Sequence, residues 1–330
     1  MSNQKKLIDF DDSVFVAGHK GMVGSAVCRA LGKKGYEKII TCDKNNLNLK
    51  NLTDVDVFFK KNKPNVVVLA AAKVRGILAN NNYPADFILD NLLIQTNIIQ
   101  CSLKHDVKRF LFLGSSCIYP KFAKQPIKEQ YLLEGGLEPT NEYYAIAKIA
   151  GLKLCEALHK QYGFDSICLM PTNLYGTGDN YDLKNSHVLP ALIRKFCEAK
   201  RNKYEKVTCW GDGSPLREFL HCDDLADACI FSLENINVSK IKDLINFQDI
   251  YFSHINVGTG NDISIAGLAR LIANLVDFQG EIVWDKDKPN GTPQKKLDIS
   301  LMRKLGWKHN INFKKGIEKT IYEFQNLLLR

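Results

Sequence analysis

Short runs of uninterrupted apolar residues, separated by stretches with helical spacing, set the tightest limit on how this chain folds. Val14-Phe15-Val16-Ala17, Val66-Val67-Val68-Leu69 and Phe110-Leu111-Phe112-Leu113 carry no polar position on either face. Successive side chains of a strand point to opposite faces, so a strand without alternation is dry on both sides. Lys38–Cys42 and Ser166–Met170 read as two more strands. Between them Met22–Leu31, Val55–Lys60, Pro84–Leu103 and Glu142–Tyr162 space their apolar residues as helices do. Thr53 is the expected N-cap of the second helix, and Pro84 opens the third.

Strands buried on both faces and alternating with helices predict an α/β fold, a Rossmann-type doubly wound parallel sheet. Past Pro171 the pattern loosens. Helices are expected over Val188–Ala199, Asp223–Leu233 and Ile265–Val276, with Asn235–Asp249 a polar surface excursion. The switch near Pro171–Gly178 divides the chain into two expected domains, with some chain crossing between them. Residues 1–175 form a dinucleotide-binding domain, and residues 176–330 a smaller α/β substrate-binding domain.

Gly18-His19-Lys20-Gly21-Met22-Val23-Gly24 stands where the first strand ends and the first helix begins. Glycine there takes positive φ and lets the backbone approach a ligand. The helix N-terminus offers unpaired N–H groups and partial positive charge to a pyrophosphate. Asp43, after the second strand, suits the ribose hydroxyls of NAD(H). Lys20 and Lys44 suit the extra phosphate of NADP(H). From these residues alone the two cofactors stay balanced.

The chain has 330 residues and a net charge of +9, without a long basic run interleaved with aromatics, so nucleic acid is not an expected partner. No apolar run reaches the ~18 residues of a membrane span, and Met1–Asp12 does not read as a signal peptide. Ten cysteines include no Cys-x-x-Cys pair. They read as reduced, buried thiols rather than as a metal site or a disulfide framework, which points to the cytoplasm.

Tyr144 and Lys148 lie four residues apart on one helix face. A nearby ammonium favours the phenolate and moves a phenol toward the working range, so such a tyrosine can exchange a proton with a carbonyl oxygen. The preceding strand ends in Leu113-Gly114-Ser115-Ser116-Cys117, at the sheet edge where such folds bind ligands. A serine hydroxyl there can bond a keto oxygen. These features predict a nicotinamide-dependent oxidoreductase.

Longer runs make a resemblance specific. Ala17–Gly24, Ala70–Val74, Leu113–Pro120, Glu138–Asn141, Tyr144–Lys148, Met170–Gly176, Asn185–Val188, Arg217–His221, His254–Gly260 and Gly291–Pro293 resemble the GDP-L-fucose synthases, a branch of the extended short-chain dehydrogenases, over nearly the whole chain. The resemblance implies a homodimer, with contacts through the helices holding Pro84–Leu103 and Tyr144–Lys148. It implies a GDP-4-keto sugar substrate, epimerised at C3 and C5 and reduced at C4, with NADP(H) favoured. Ser115, Tyr144 and Lys148 match the reductase set, and Cys117 and His187 the epimerisation pair. Abstracting a proton beside a keto group needs a base, an acid and a stabilised enolate oxygen. Gly18–Gly24, Asp43, Lys44, Asn48, Leu49, Leu113, Gly114, Lys148, Pro171, Thr172, Asn173, Leu174 and His187 are the expected cofactor contacts. For the substrate they are Lys195, Trp210, Arg217, Asn290 and Lys295, with Arg217 forking onto phosphate oxygens and Trp210 stacking on a ring.

Several positions depart from the family. Lys20 and Lys44 stand for arginines, Lys195 for an arginine, Asn290 for an aspartate and Arg75 for a glycine. A C4-reductase, with or without epimerisation, of a related GDP-4-keto sugar such as a GDP-4-keto-heptose is the first alternative. A non-catalytic nucleotide-binding scaffold is the remote one.

Overall fold

The computed structural model describes residues 6–74, 76, 80, 82–183, 185–244, 254–288 and 290–329, apart from the Lys242 side chain. In chain order the first half runs β1 (Val14–Ala17), α1 (Met22–Lys34), β2 (Ile39–Ile40), α2 (Leu52–Asn62), β3 (Val66–Leu69), α3 (Pro84–Lys104), β4 (Arg109–Leu113), α4 (Glu142–Tyr162) and β5 (Ser166–Pro171). Then come β6 (Asn173–Tyr175), α5 (Val188–Asn202), β7 (Lys206–Trp210), β8 (Leu216–His221), α6 (Cys222–Asn235), α7 (Val238–Leu244) and β9 (His254–Val257). The chain closes with β10 (Asp262–Ser264), α8 (Ile265–Leu275), β11 (Glu281–Asp285), β12 (Gln294–Lys295), α9 (Ser300–Lys304) and α10 (Phe313–Leu328).

Six strands form one all-parallel sheet in the order β2-β1-β3-β4-β5-β9. Val14, Val67, Phe110, Phe112, Ile167 and Leu169 are fully buried, as strands covered on both faces must be. One face packs Ala26, Val27 and Leu31 of α1 with Leu225, Cys229 and Leu233 of α6. The other packs Phe59 of α2, Ile98 of α3 and Leu152 of α4. Both α6 and β9 come from beyond residue 175, so the second half of the chain completes the first layer. The order turns back on itself between β1 and β3, which opens a crevice at the carboxyl ends of those strands.

A smaller unit stands over that crevice. In it β8 is flanked by β10 and β12 and also pairs with β6, while β7 and β11 form a parallel pair. Leu189 and Phe196 of α5, Leu268 and Ile272 of α8, and Ile317 and Phe324 of α10 make its core.

Two local expectations change. The N-cap of α2 is Asn51, whose side-chain oxygen accepts from the Thr53 and Asp54 N–H groups at 2.9 and 3.4 Å. Thr53 already lies inside the helix, and Asn51 stands where its oxygen meets the unpaired first-turn N–H groups. The segment read as a surface excursion contains α7, with Ile236, Val238 and Ile241 buried. Their sparse apolar spacing was outweighed by polar neighbours in the sequence. Residues 245–249 of that segment lie outside the described residues. Among the described residues no helix is long and apolar enough to cross a membrane.

Candidate active site

The carboxyl ends of β1, β3, β4 and β5 open into a cleft of about 960 Å³ that runs beneath α5, β7, β8 and the segment before β12. Its floor begins at the glycine turn. Gly18 has φ +92°, and a Cβ there would lie 2.7 Å from the Ala71 nitrogen. A Cβ on Gly24 would lie 2.1 Å from the Gly18 oxygen. No side chain caps α1, and its N-cap Gly21 and first-turn residues Met22, Val23 and Gly24 line the cleft. A cradle held open by missing Cβ atoms at an uncapped helix start fits a dinucleotide pyrophosphate.

Beside this turn Asp43 pairs with Lys20 at 2.9 Å and with His19 at 3.2 Å. Hydrogen bonding to Lys20 holds the Asp43 carboxyl below its ordinary value. Gly18, His19, Lys20, Asp43, Lys44, Asn48 and Leu49 are not brought to the cleft wall itself. Asn48 turns its side-chain oxygen to the Lys50 N–H, and the Leu49 carbonyl accepts from Asn97.

Leu113, Gly114, Ser115, Cys117, Tyr144, Lys148, Pro171, Thr172, Asn173, Leu174 and His187 all line the cleft. Gly114 is packed so closely that a Cβ would fall 2.3 Å from the Met170 sulfur. The Ser115 hydroxyl accepts from the Cys117 N–H at 3.3 Å, so the serine starts the turn that presents the thiol. Tyr144 and Lys148 sit one turn apart on the buried face of α4, and the Lys148 ammonium donates to the Leu113 carbonyl at 2.7 Å. That ammonium lies 5.8 Å from the Tyr144 ring centre.

The electrostatics differ from the sequence reasoning on one point. Burial, not the lysine, dominates Tyr144 and keeps its phenol well above the ordinary value. Burial also pushes Lys148 down to about 8. Taking either charge out of water costs more than the lysine returns while it is engaged with Leu113. The phenol therefore carries its proton, as a donor to a developing alkoxide must. Burial raises the Cys117 thiol, opposed first by the Lys295 charge and then by Ser115 and Lys148. His187 starts α5 without a side-chain cap bond; it is exposed to the cleft, and the desolvation of its surroundings lowers its pKa.

Lys195, Trp210, Arg217, Asn290 and Lys295 line the far end of the same cleft. Lys195 donates to the Thr208 carbonyl at 2.7 Å and lies 5.8 Å from the Trp210 ring. Arg217 donates to the Leu216 and Asn290 carbonyls. The Asn290 side chain accepts from the Asp212 N–H at 3.0 Å. Burial lowers the pKa of all three cations, a penalty that a bound polyanion would offset. Arg75 lies outside the described residues.

Sequence reasoning missed other members of the wall. Glu138, Asn141, Asp179, Ser186 and Thr292 line it, and the buried Asn141 Oδ1 and Ser186 Oγ atoms have no hydrogen-bond partner among the described residues. Unmatched buried polar atoms fit a cleft whose partners arrive with a ligand. Nothing in spacing or charge pattern marks these residues. Away from the cleft, His221, Cys222 and Asp223 bring ligand-type atoms within 4.8 Å of one another. The Asp223 carboxylate there is already paired with Arg29 and Lys319, and the His221 Nδ1 accepts from the Asp223 N–H.

A parallel sheet that reverses beside a glycine turn, with serine, tyrosine and lysine at one strand edge, defines an extended short-chain dehydrogenase/reductase. The model of the NAD dependent epimerase/dehydratase family matches residues 14–247. A putative GDP-L-fucose synthase 2 of Arabidopsis thaliana is 52% identical over 324 residues, 98% of this chain and 94% of that one. The GDP-L-fucose synthase of Escherichia coli K12 is 51% identical over 311 residues, 94% of this chain and 96% of that one. Among solved structures, a GDP-mannoheptose C4 reductase from Campylobacter jejuni with NADP bound superposes with a TM-score of 0.87. It is 39% identical, and the match covers 96% of this chain and 99% of that one. The chain belongs to the NAD-dependent epimerase/dehydratase family, and within it to the GDP-L-fucose synthases. It is an enzyme.

Proposed function

We propose that the protein converts GDP-4-keto-6-deoxy-D-mannose to GDP-L-fucose by epimerising C3 and C5 and then reducing C4 with NADP(H). The observation that carries this reading is the convergence of Cys117, His187, Ser115, Tyr144 and Lys148 on one cleft with a cationic far end. Relatives 51% and 52% identical over nearly the whole chain carry that name.

The glycine turn and α1 would hold the pyrophosphate, and Lys20 and Lys44 would serve the extra phosphate of NADP(H). With Asp43 paired to Lys20 and His19, its charge is compensated, which favours NADP(H) over NAD(H). Bound cofactor supplies the hydride for C4. Arg217, Lys195 and Lys295 take the diphosphate, Trp210 offers a ring face, and Asn290 anchors the strand-end loop. Ser115 and Tyr144 hold the C4 oxygen. Their bonds stabilise the enolate that forms when a proton leaves C3 or C5. Cys117 and His187 exchange those protons from either side of the ring. In the last step Tyr144 passes its proton to the C4 oxygen, and Lys148 orients the nicotinamide ribose. Residues 1–175 serve the dinucleotide and residues 176–330 the GDP-sugar, with α6 and β9 crossing back. Two copies pair through α3 and α4, which leave Leu89, Tyr143 and Ile146 exposed, with Tyr83 exposed just before α3. The enzyme works in the cytoplasm, where its ten free cysteines stay reduced.

The second reading, reduction of a related GDP-4-keto sugar without epimerisation, is favoured by the likeness to the Campylobacter jejuni heptose C4 reductase. Incubation of the enzyme with GDP-4-keto-6-deoxy-D-mannose in deuterated water, without reductant, separates the two. Deuterium enters C3 and C5 with the parent enzyme and not with Cys117→Ser. Absence of label with the parent, together with turnover of a GDP-4-keto-heptose, selects the second reading.

A further inference from the structure

Glu138 is a buried carboxylate in the cleft wall, outside both the reductase set and the cationic end. It precedes the short turn Pro139–Asn141 that leads into α4. Its Oε1 accepts from the Thr140 N–H at 3.4 Å and from the Thr140 hydroxyl at 3.3 Å. Its Oε2 accepts from the Thr292 hydroxyl at 3.3 Å and pairs with the Lys121 ammonium at 3.0 Å. Three separate segments therefore meet on one side chain. Thr140 leads to Tyr144 and Lys148, Thr292 lies between Asn290 and Lys295, and Lys121 follows the turn that presents Cys117.

We infer that Glu138 is a positioning residue that clamps the substrate-side segment 290–295, through Thr292, against the head of α4. The clamp sets how far the Arg217–Lys295 end of the cleft stands from Tyr144. This rests on the reading of that end as the diphosphate site. A neutral group would not serve as well, because a charged acceptor makes the stronger bonds and needs Lys121 to stay buried. Burial pushes the Glu138 carboxyl up, but Lys121 and Thr140 together outweigh it and hold it below its ordinary value. It is ionised at neutral pH.

One rival account has the opposite sign. Glu138 also acts electrostatically on Arg217 and Lys295. If its role were only to balance those charges, removing it would free them and tighten the grip on a diphosphate. A clamp predicts the reverse.

The test measures GDP and NADPH affinities of the full chain by calorimetry. Removal of a charge-assisted clamp in Glu138→Ala weakens GDP by about tenfold and leaves NADPH within about twofold. Glu138→Gln keeps the shape and part of the bonding, so its loss is about threefold. Thr292→Val also weakens GDP by about threefold, and because both act through one contact, the Glu138→Ala, Thr292→Val double variant is no weaker than Glu138→Ala alone. Tighter GDP binding in either Glu138 variant, a matching loss of NADPH binding, or additive losses in the double variant overturns the clamp. So do variants that bind GDP as the parent does. A parent that binds NADPH but not GDP overturns the nucleotide-sugar reading, and the clamp with it.

Discussion

Lys148 shows at the scale of one residue how function strains this fold. Its ammonium is buried against β4 and pushed down from 10.5 to about 8. Because the folded value lies below the unfolded one, the folded protein binds fewer protons between those two values. The stability contribution present above pH 10.5 is lost as pH falls toward 8, and the full penalty persists at neutral pH. That penalty is on the order of 3 kcal/mol, against about 1 kcal/mol for the bond to the Leu113 carbonyl. Lys148→Met is therefore expected to unfold at equal or higher urea concentration than the parent at pH 7, with any gain shrinking toward pH 10, while reductase activity is lost. Clear destabilisation at pH 7 would show that the lysine's bonds outweigh its desolvation. Tyr144, its partner, was legible from helical spacing. Its raised pKa was not, since spacing does not report how deeply a helix face is buried.

Among the elements, α1 depends most on absent atoms. The approach of Gly24 to the Gly18 carbonyl leaves no room for a methyl group, which would sit 2.1 Å away. Gly24→Ala must push the turn and the start of α1 apart. NADPH affinity is expected to fall at least about tenfold, since the pyrophosphate cradle is built from backbone whose position the glycine permits. Unchanged NADPH titration of that variant would remove the turn from the cofactor site. The long elements were legible because a strand covered on both faces and a helix covered on one leave different residue periods. The short ones were not: β6, β10 and β12 have two or three residues each, too few for a period.

For the whole molecule, the exposed apolar side chains Leu89, Tyr143 and Ile146 lie on the adjacent helices α3 and α4, with exposed Tyr83 just before α3. Gly151 lets those helices approach, as a Cβ there would fall 2.8 Å from the Gln95 side chain. Exposed apolar side chains on two adjacent helices are candidate contacts of a two-fold interface. Leu89→Arg with Ile146→Arg should convert a dimer to a monomer in sedimentation velocity, with NADPH binding retained. A parent that sediments as a monomer at micromolar concentration would rule out pairing through this face. Of these helices α4 also carries Lys148 on its buried side, so pairing through this face would share a scaffold with the chemistry.

Local order carries the chain as far as the sheet, the glycine turn and the Tyr144–Lys148 pair, because periodicity and turn chemistry act over neighbouring residues. It also carries the family resemblance, which lies in contiguous runs. Tertiary structure alone decided which distant groups meet: β9 on the edge of β5, Lys295 in one cleft with Cys117, and Glu138 between Thr140 and Thr292. Those meetings join segments that are far apart in the chain, and they are set by the burial of whole elements against one another. No local preference of the residues involved encodes them.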